Sequence, residues 1–226
     1  SIFNIVKKEF NIDLNKAKYF AGHSLGEYSA LLCAEALNFH DAIYLLHERG
    51  KAMQEAVPVG KGSMLAVLGS DIEEIKTLIN SLKLEKGICE IANDNASGQV
   101  IVSGKAESVK LFQNLLKKEK IKSIPLKVSA PFHCSLMEPA AAVMKIKIND
   151  VKFKNPKFPI IYNVTARMKN ESEDIKSLLI KQIVSTVKWR ESIIYMSKAG
   201  VSNFVEVGPG KVLQGLIKKI NPDVNL

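Results

Sequence analysis

The chain has 226 residues, 46% hydrophobic and 24% charged, enough to bury a core in one domain or two. No apolar run approaches the roughly 18 residues that a membrane-spanning helix needs, so no such helix is expected. The formal charge of +9 is carried almost entirely by lysine, with arginine only at 49, 167 and 190; scattered lysines without an arginine cluster or aromatic platform argue against nucleic acid and for a solvated basic surface that can steer an acidic partner.

Ser1 to Phe10 set Lys7, Lys8 and Glu9 into an apolar pattern, which reads as an amphipathic helix and lacks the apolar block of a signal peptide. Tyr19-Phe20-Ala21 closes a short strand, Leu25 to Leu37 continues as a helix, and a second helix runs from about Asp41 to Ala56 before Pro58 and the Gly60/Gly62 pair. From Ser63 to Val128 the pattern changes. Met64 to Leu68 is a strand, Asp71 to Leu82 a helix, and Ile88 to Ala92 and Gln99 to Val102 are strands about an Asn93–Gly98 turn. Ala106 to Lys120 is a helix and Lys122 to Val128 a strand, giving the β-α-β-β-α-β order of a ferredoxin-like unit. The expected fold class is therefore α/β, with residues 62–128 inserted into a larger unit of residues 1–61 and 129–226. In that larger unit Ser135 to Ile148, Ser172 to Ile183, Glu191 to Ala199 and Lys211 to Ile220 read as helices. Phe158 to Val164 and Asn203 to Val207 read as strands.

Cys33, Cys89 and Cys134 are far apart and lack metal-ligand spacing, so neither a metal nor a disulfide framework is expected; a reducing, cytoplasmic setting is. Three matches to the glycosylation pattern, at Asn95, Asn163 and Asn170, are read as chance without a secretory signal. Gly208-Pro209-Gly210-Lys211 lacks full phosphate-loop spacing and reads as a turn into the last helix.

Gly22-His23-Ser24-Leu25-Gly26, between strand and helix, carries the strongest chemical signal. In a G-x-S-x-G elbow the serine sits on a strained turn with its oxygen exposed, and the next N–H, that of Leu25, points where an oxyanion would form. The bland alternative is a glycine-flanked turn with an incidental serine. Of four histidines, His23 lies inside the elbow, and His40 and His47 lie near or on the second helix. His133 remains, in a loop that can present it as a base, although a lone loop histidine is equally often a surface residue. Arg49 falls on the apolar helix face with Leu45, Leu46, Ala52, Met53 and Ala56. Burial of its guanidinium requires an internal acid, snorkelling to solvent, or a role as a clamp for a substrate carboxylate.

Together these segments resemble the malonyl-CoA:acyl carrier protein transacylases over essentially the whole chain. The resemblance rests on residues 22–30, His47 to Gln54, Pro131 to Met137, Lys181 to Ser185 with Trp189, and Val205 to Gly210. It implies a hydrolase-like α/β domain with a ferredoxin-like insert. By the same resemblance Ser24 is the nucleophile, His133 its general base, and the Gln182 backbone carbonyl orients the imidazole in place of an acid. Leu25 contributes to the oxyanion hole. Arg49 holds the malonate carboxylate, with Met53, Phe132 and Asn95 completing the substrate-binding set. The implied substrates are malonyl-CoA, a coenzyme A thioester, and the phosphopantetheine thiol of an acidic acyl carrier protein. No cofactor, metal, membrane or nucleic acid is implied, and a monomer is expected. The family's leading strand, whose Gly-Gln-Gly motif supplies a second oxyanion donor, has no counterpart between Ser1 and Ala21, so that donor is expected outside these residues. Among alternatives, thioesterases and lipases order serine, acid and a late histidine, yet no histidine follows His133. A non-catalytic module binding a carrier protein would rely on the basic surface alone. A methylmalonyl-type enzyme would have to fit a larger group beside the bulky Phe132.

Overall fold

The computed structural model describes residues 2–9, 13–84, 87–169 and 172–226. Ser1 and Phe10, the ends of the expected first helix, and Asn170 and Glu171 lie outside them. The chain runs through helix α1 (Ile2–Glu9), a 3-10 turn (Leu14–Lys16), strand β1 (Phe20–Ala21), and helices α2 (Gly26–Cys33) and α3 (Phe39–Glu55). Next come β2 (Gly62–Leu68), α4 (Ile72–Ser81), β3 (Cys89–Ala96), β4 (Gln99–Lys105), α5 (Ala106–Lys118) and β5 (Lys122–Pro125). A 3-10 turn (Ser135–Met137) leads into α6 (Glu138–Asp150), followed by β6 (Ile160–Ile161), β7 (Met168–Lys169), α7 (Ser172–Val184), α8 (Trp189–Lys198) and α9 (Val212–Ile220).

Two sheets organise these elements. In the first, β1 pairs in parallel with β6, which pairs antiparallel with β7. In the second the order is β3-β4-β2-β5, all antiparallel, the ferredoxin-like arrangement expected from the alternating pattern. The fold is thus α/β, a hydrolase-like domain with its strand–turn–helix elbow and a ferredoxin-like β-α-β-β-α-β insert. Alternation along β2 buries both faces of the insert sheet. Leu65 and Val67 join Val100, Val102 and Phe112 in a core with α4 and α5. Met64 and Ala66 turn the other way, to Ala92, Ile101 and the half-buried Phe132. The main core gathers Leu31, Leu45, Met53, Met144, Ile160 and Leu179 from α2, α3, α6, β6 and α7.

Several boundaries differ from the sequence reading, each for a local reason. Helix α2 stops at Cys33 because Glu35 takes a left-handed φ of 63° and Ala36 N–H bonds back to Leu31 O. Asn38 starts α3 two residues early by accepting from Asp41 N–H at 2.9 Å. The expected Asn93–Gly98 turn is strand as far as Ala96, and shifts in register flank Ala92 and Asn95. The strand expected to reach Val128 ends at Pro125, where Val128 N–H folds back onto Leu126 O. The Phe158–Val164 strand shrinks to two residues because the next amides are used elsewhere: Tyr162 N–H bonds Arg167 O, and Asn163 N–H bonds a Glu27 carboxylate oxygen. Asn203–Val207 forms only an isolated bridge from Asn203 to Asn225, and its Val205 is 61% exposed, with no strand beside it among the described residues. Among the described residues no helix is long and apolar enough to cross a membrane.

Candidate active site

The turn between β1 and α2 follows from one glycine and one strained serine. A Cβ on Gly22 would lie 1.9 Å from Gly26 O, so only glycine lets the strand pack against the first turn of α2. Gly26, the second glycine of the motif, has open space where its Cβ would be. Ser24 has φ 52°, the left-handed region that a non-glycine residue occupies at a cost of about 1–3 kcal/mol and that places its side chain at the crest of the turn.

Asn163 fixes this turn from beneath. Its Oδ1 accepts from Ser24 N–H at 2.7 Å, its Nδ2 donates to Gly22 O at 2.7 Å, and its own N–H donates to Glu27 at 2.7 Å. Since Ser24 N–H is occupied and Gly26 N–H bonds His23 O, Leu25 N–H is left without a hydrogen bond among the described residues, at the N-terminus of α2. It stands where a developing oxyanion would find a donor.

His133 meets Ser24 from the far side of the site. It too has a left-handed backbone, φ 58°. Its Nε2 lies 2.7 Å from Ser24 Oγ and its Nδ1 2.8 Å from Gln182 O. A carbonyl can only accept, so the proton sits on Nδ1, and the Nε2 lone pair is left to accept from the serine hydroxyl. Burial, and then the charge of Arg49, push the His133 pKa down to about 3, so the ring stays neutral through the physiological range.

Arg49 is buried at 7% exposure and reaches the same point. Its Nη2 donates to Ser24 Oγ and to Gln182 Oε1, each at 3.2 Å. It does not snorkel, and it enters none of the ion pairs among the described residues. Its Nε is buried without a partner, with the Tyr28 ring centroid 6.0 Å from the guanidinium carbon. The nearby acid Glu27 is fully buried, and its desolvation lifts its pKa to about 8 against the opposing pull of the Asn163 N–H, Gln182 and Arg49. Glu27 thus holds its proton more tightly than an ordinary carboxyl, and no ion pair meets Arg49 among the described residues. Gln182 closes the group: its carbonyl holds His133, its Oε1 holds Arg49, and its Nε2 donates to Ser24 O at 3.1 Å.

Ser24, His133, Arg49 and Gln182 therefore converge, with Leu25 beside them. Met53 is buried in the main core. Phe132 packs between that core and the insert. The Asn95 side chain is engaged by His23, whose Nε2 lies 2.8 Å from its Oδ1 while the His23 ring meets Trp189 edge-on. His40 and His47 are on the surface. A cavity of about 690 Å³, lined by Pro58, Lys61, Lys105, Glu107, Ser135 and Leu136 among others, touches none of Ser24, Arg49 or His133. Two contributors escape a reading of the sequence. Asn163 is a polar residue just past β6, at the carboxyl end of a parallel strand, where α/β sheets place their functional groups. Glu27 lies one helical turn before Leu31, and both are fully buried, so an acid on the apolar face was the available signal.

Comparison with known proteins matches residues 15–222 to the acyl transferase domain family. The chain is 47% identical over 204 residues to the malonyl CoA-acyl carrier protein transacylase of Bacillus subtilis (strain 168), covering 90% of this chain and 64% of that protein. It is 44% identical over 209 residues to the Staphylococcus aureus (strain MSSA476) protein of the same name, covering 91% and 67%. The chain thus spans about two thirds of these relatives. The solved malonyl CoA-acyl carrier protein transacylase of Coxiella burnetii superposes with a TM-score of 0.95 at 40% identity, over 99% of this chain and 70% of that one. A malonyl-transacylase solved in complex with its type II PKS acyl-carrier protein superposes with a TM-score of 0.94 at 36% identity, over 99% and 72%.

Two outcomes follow from this geometry. Gly22→Ala should lower stability by roughly 1–3 kcal/mol or more through overpacking, while Gly26→Ala should stay within about 0.5 kcal/mol of the parent. Denaturant unfolding measures both, and equal effects would show that the elbow is not packed through Gly22. Because the His133 pKa is lowered, the neutral base persists as pH falls, so labelling of Ser24 by a fluorophosphonate should hold its rate through pH 6.5, the ordinary imidazole value. A rate halved at that pH would contradict the burial of the ring.

Proposed function

The chain belongs to the acyl transferase domain family, and from that membership and the site's geometry we propose that it moves a malonyl group from malonyl-CoA, through an ester on Ser24, to the phosphopantetheine thiol of an acyl carrier protein. The observation that carries this reading is Arg49: a buried guanidinium, in no carboxylate ion pair among the described residues, whose Nη2 touches the nucleophile's oxygen. A carboxylate carried by the acyl group would supply the missing partner. An acetyl or long-chain acyl group would leave that charge buried and unmatched.

The steps use groups already in contact. Ser24 Oγ attacks the thioester carbon while its proton passes to His133 Nε2, 2.7 Å away. The carbonyl oxygen, now negative, lies toward Leu25 N–H. When the tetrahedral adduct collapses, the carbon–sulfur bond breaks and the coenzyme A sulfur takes the proton from His133. The pantetheine thiol then repeats the sequence in reverse: its proton goes to His133, its sulfur bonds the acyl carbon, and Ser24 Oγ leaves and is reprotonated. The malonyl carboxylate also acts on the base. Arg49 is the second cause holding the His133 pKa down, so an anion paired with Arg49 raises the basicity of the imidazole as substrate binds.

The large unit of residues 1–61 and 129–226 would carry the chemistry, and the insert of residues 62–128 would border it. The serine, histidine and arginine complete the reaction without a cofactor. The +9 charge suits an acidic carrier protein, and three unpaired cysteines suit a cytoplasmic setting. The relative solved with its carrier protein supports that partner.

Arg49→Ala in the whole protein tests the proposal. Breaking a buried charge pairing costs about 3–5 kcal/mol, so kcat/KM for malonyl-CoA should fall by roughly 10²–10⁴-fold, with acetyl-CoA little affected. Intact mass of the Ser24 ester reads both substrates, and an equal loss for the two would overturn the assignment of Arg49.

A further inference from the structure

We propose that Glu90 is a positioning residue for His133, acting from the insert sheet through Ser135. The Glu90 carboxylate is used at both oxygens: Oε2 accepts from Ser135 N–H at 2.9 Å and Oε1 from the Ser135 hydroxyl at 2.5 Å. Glu90 lies on β3 and Ser135 opens the 3-10 turn that leads into α6, so this contact ties the insert to the loop that carries the base.

The contact belongs to a larger seating of that loop. Along β3, Cys89 and Ile91 face the insert core, which leaves Glu90 and Ala92 on the opposite face. The loop meets that face residue by residue. Pro131 fills the space above Gly62, where an added Cβ would lie 2.3 Å from the ring. Phe132 packs with Met64, Ala66, Ala92 and Ile101. The Cys134 sulfur lies 3.6 Å from the Ser103 hydroxyl and 3.1 Å from Pro131 O. Ser135 is gripped by Glu90. Only His133 points the other way, to Ser24 and Gln182.

A left-handed φ of 58° at a non-glycine residue persists only when the surroundings over-determine it. The insert supplies that constraint on both sides of His133: Phe132 is anchored by apolar packing before it, and Ser135 by a two-point carboxylate after it. Glu90 touches neither Ser24 nor any other group in the proposed reaction, so its effect must pass through the backbone of residues 133–135.

This inference rests on His133 acting as the base of Ser24, and its test does not require that the acyl group be malonyl. Fluorophosphonate labelling of Ser24 forms an oxygen–phosphorus bond and expels fluoride, with the Ser24 proton taken by His133, so its rate reads the Ser24–His133 pair without any malonyl group. In the whole protein, Glu90→Ala should slow labelling by about 10- to 100-fold, the effect of displacing a catalytic group by roughly an ångström. With malonyl-CoA, kcat should fall by the same factor while KM stays within about twofold. Glu90→Gln, whose amide oxygen still accepts from Ser135 N–H, should recover most of both rates. Wild-type labelling in Glu90→Ala overturns the proposal. So do equal losses in Glu90→Ala and Glu90→Gln, or a rise in KM with kcat unchanged. Failure of the wild-type protein to use malonyl-CoA while the labelling pattern holds would count against the assigned substrate and not against Glu90.

Discussion

Everything in the site depends on one contact, the 2.7 Å approach of Ser24 Oγ to His133 Nε2, made by two residues that both hold left-handed backbone. Neither conformation is stable by itself, so each is maintained by packing outside the pair. On the serine side the support comes from Gly22, which lets the strand lie against α2, and from Asn163, which binds backbone on both sides of His23. On the histidine side it comes from Gln182 O and from the seat that the insert sheet provides. The contact thus joins three parts of the chain distant in sequence, the elbow, the loop after the insert and the end of α7.

The same convergence sets the electrostatics. Burial keeps His133 neutral and lifts the Glu27 pKa to about 8, which weakens that acid as a charge partner for Arg49. What remains is a positive guanidinium in a place with little water to solvate it. A buried charge without a partner is costly, and a ligand that supplies the partner recovers that cost on binding. Under the proposed function, selectivity for an anionic acyl group would arise from pairing with this guanidinium, whose Nη2 is a hydrogen-bond distance from the serine oxygen.

Much of this was legible in the sequence. The alternating strands and the two amphipathic helices of residues 63–128 marked the insert, because both of its sheet faces are buried by regular period-two patterns. Ser24 was marked by its glycines, and Arg49 by standing among Leu45, Ala52 and Met53 on one helix face. What stayed hidden depends on backbone paths that no local pattern encodes. Asn163 sits in a match to the glycosylation pattern, and its amide matters only because β6 lies beside β1. Asn95 reaches His23 from an irregular stretch of β3, where a register shift redirects the side chain. Glu90 looks like any exposed strand acid until Ser135 is brought against it from across the chain. The strand expected at Asn203–Val207 shows the opposite failure: β-branched residues alone do not make a strand without a neighbour to pair with.

The Gln182 carbonyl fixes the proton of a neutral His133 imidazole on Nδ1 and leaves Nε2 open to Ser24. Nitrogen-15 chemical shifts of His133, assigned by comparison with a His133→Gln variant and recorded at pH 6.5, where an ordinary imidazole is half protonated, measure this directly. Nδ1 should be protonated and Nε2 unprotonated at that pH, with no averaging toward imidazolium. A proton on Nε2, or shifts averaged with the charged form, would contradict it.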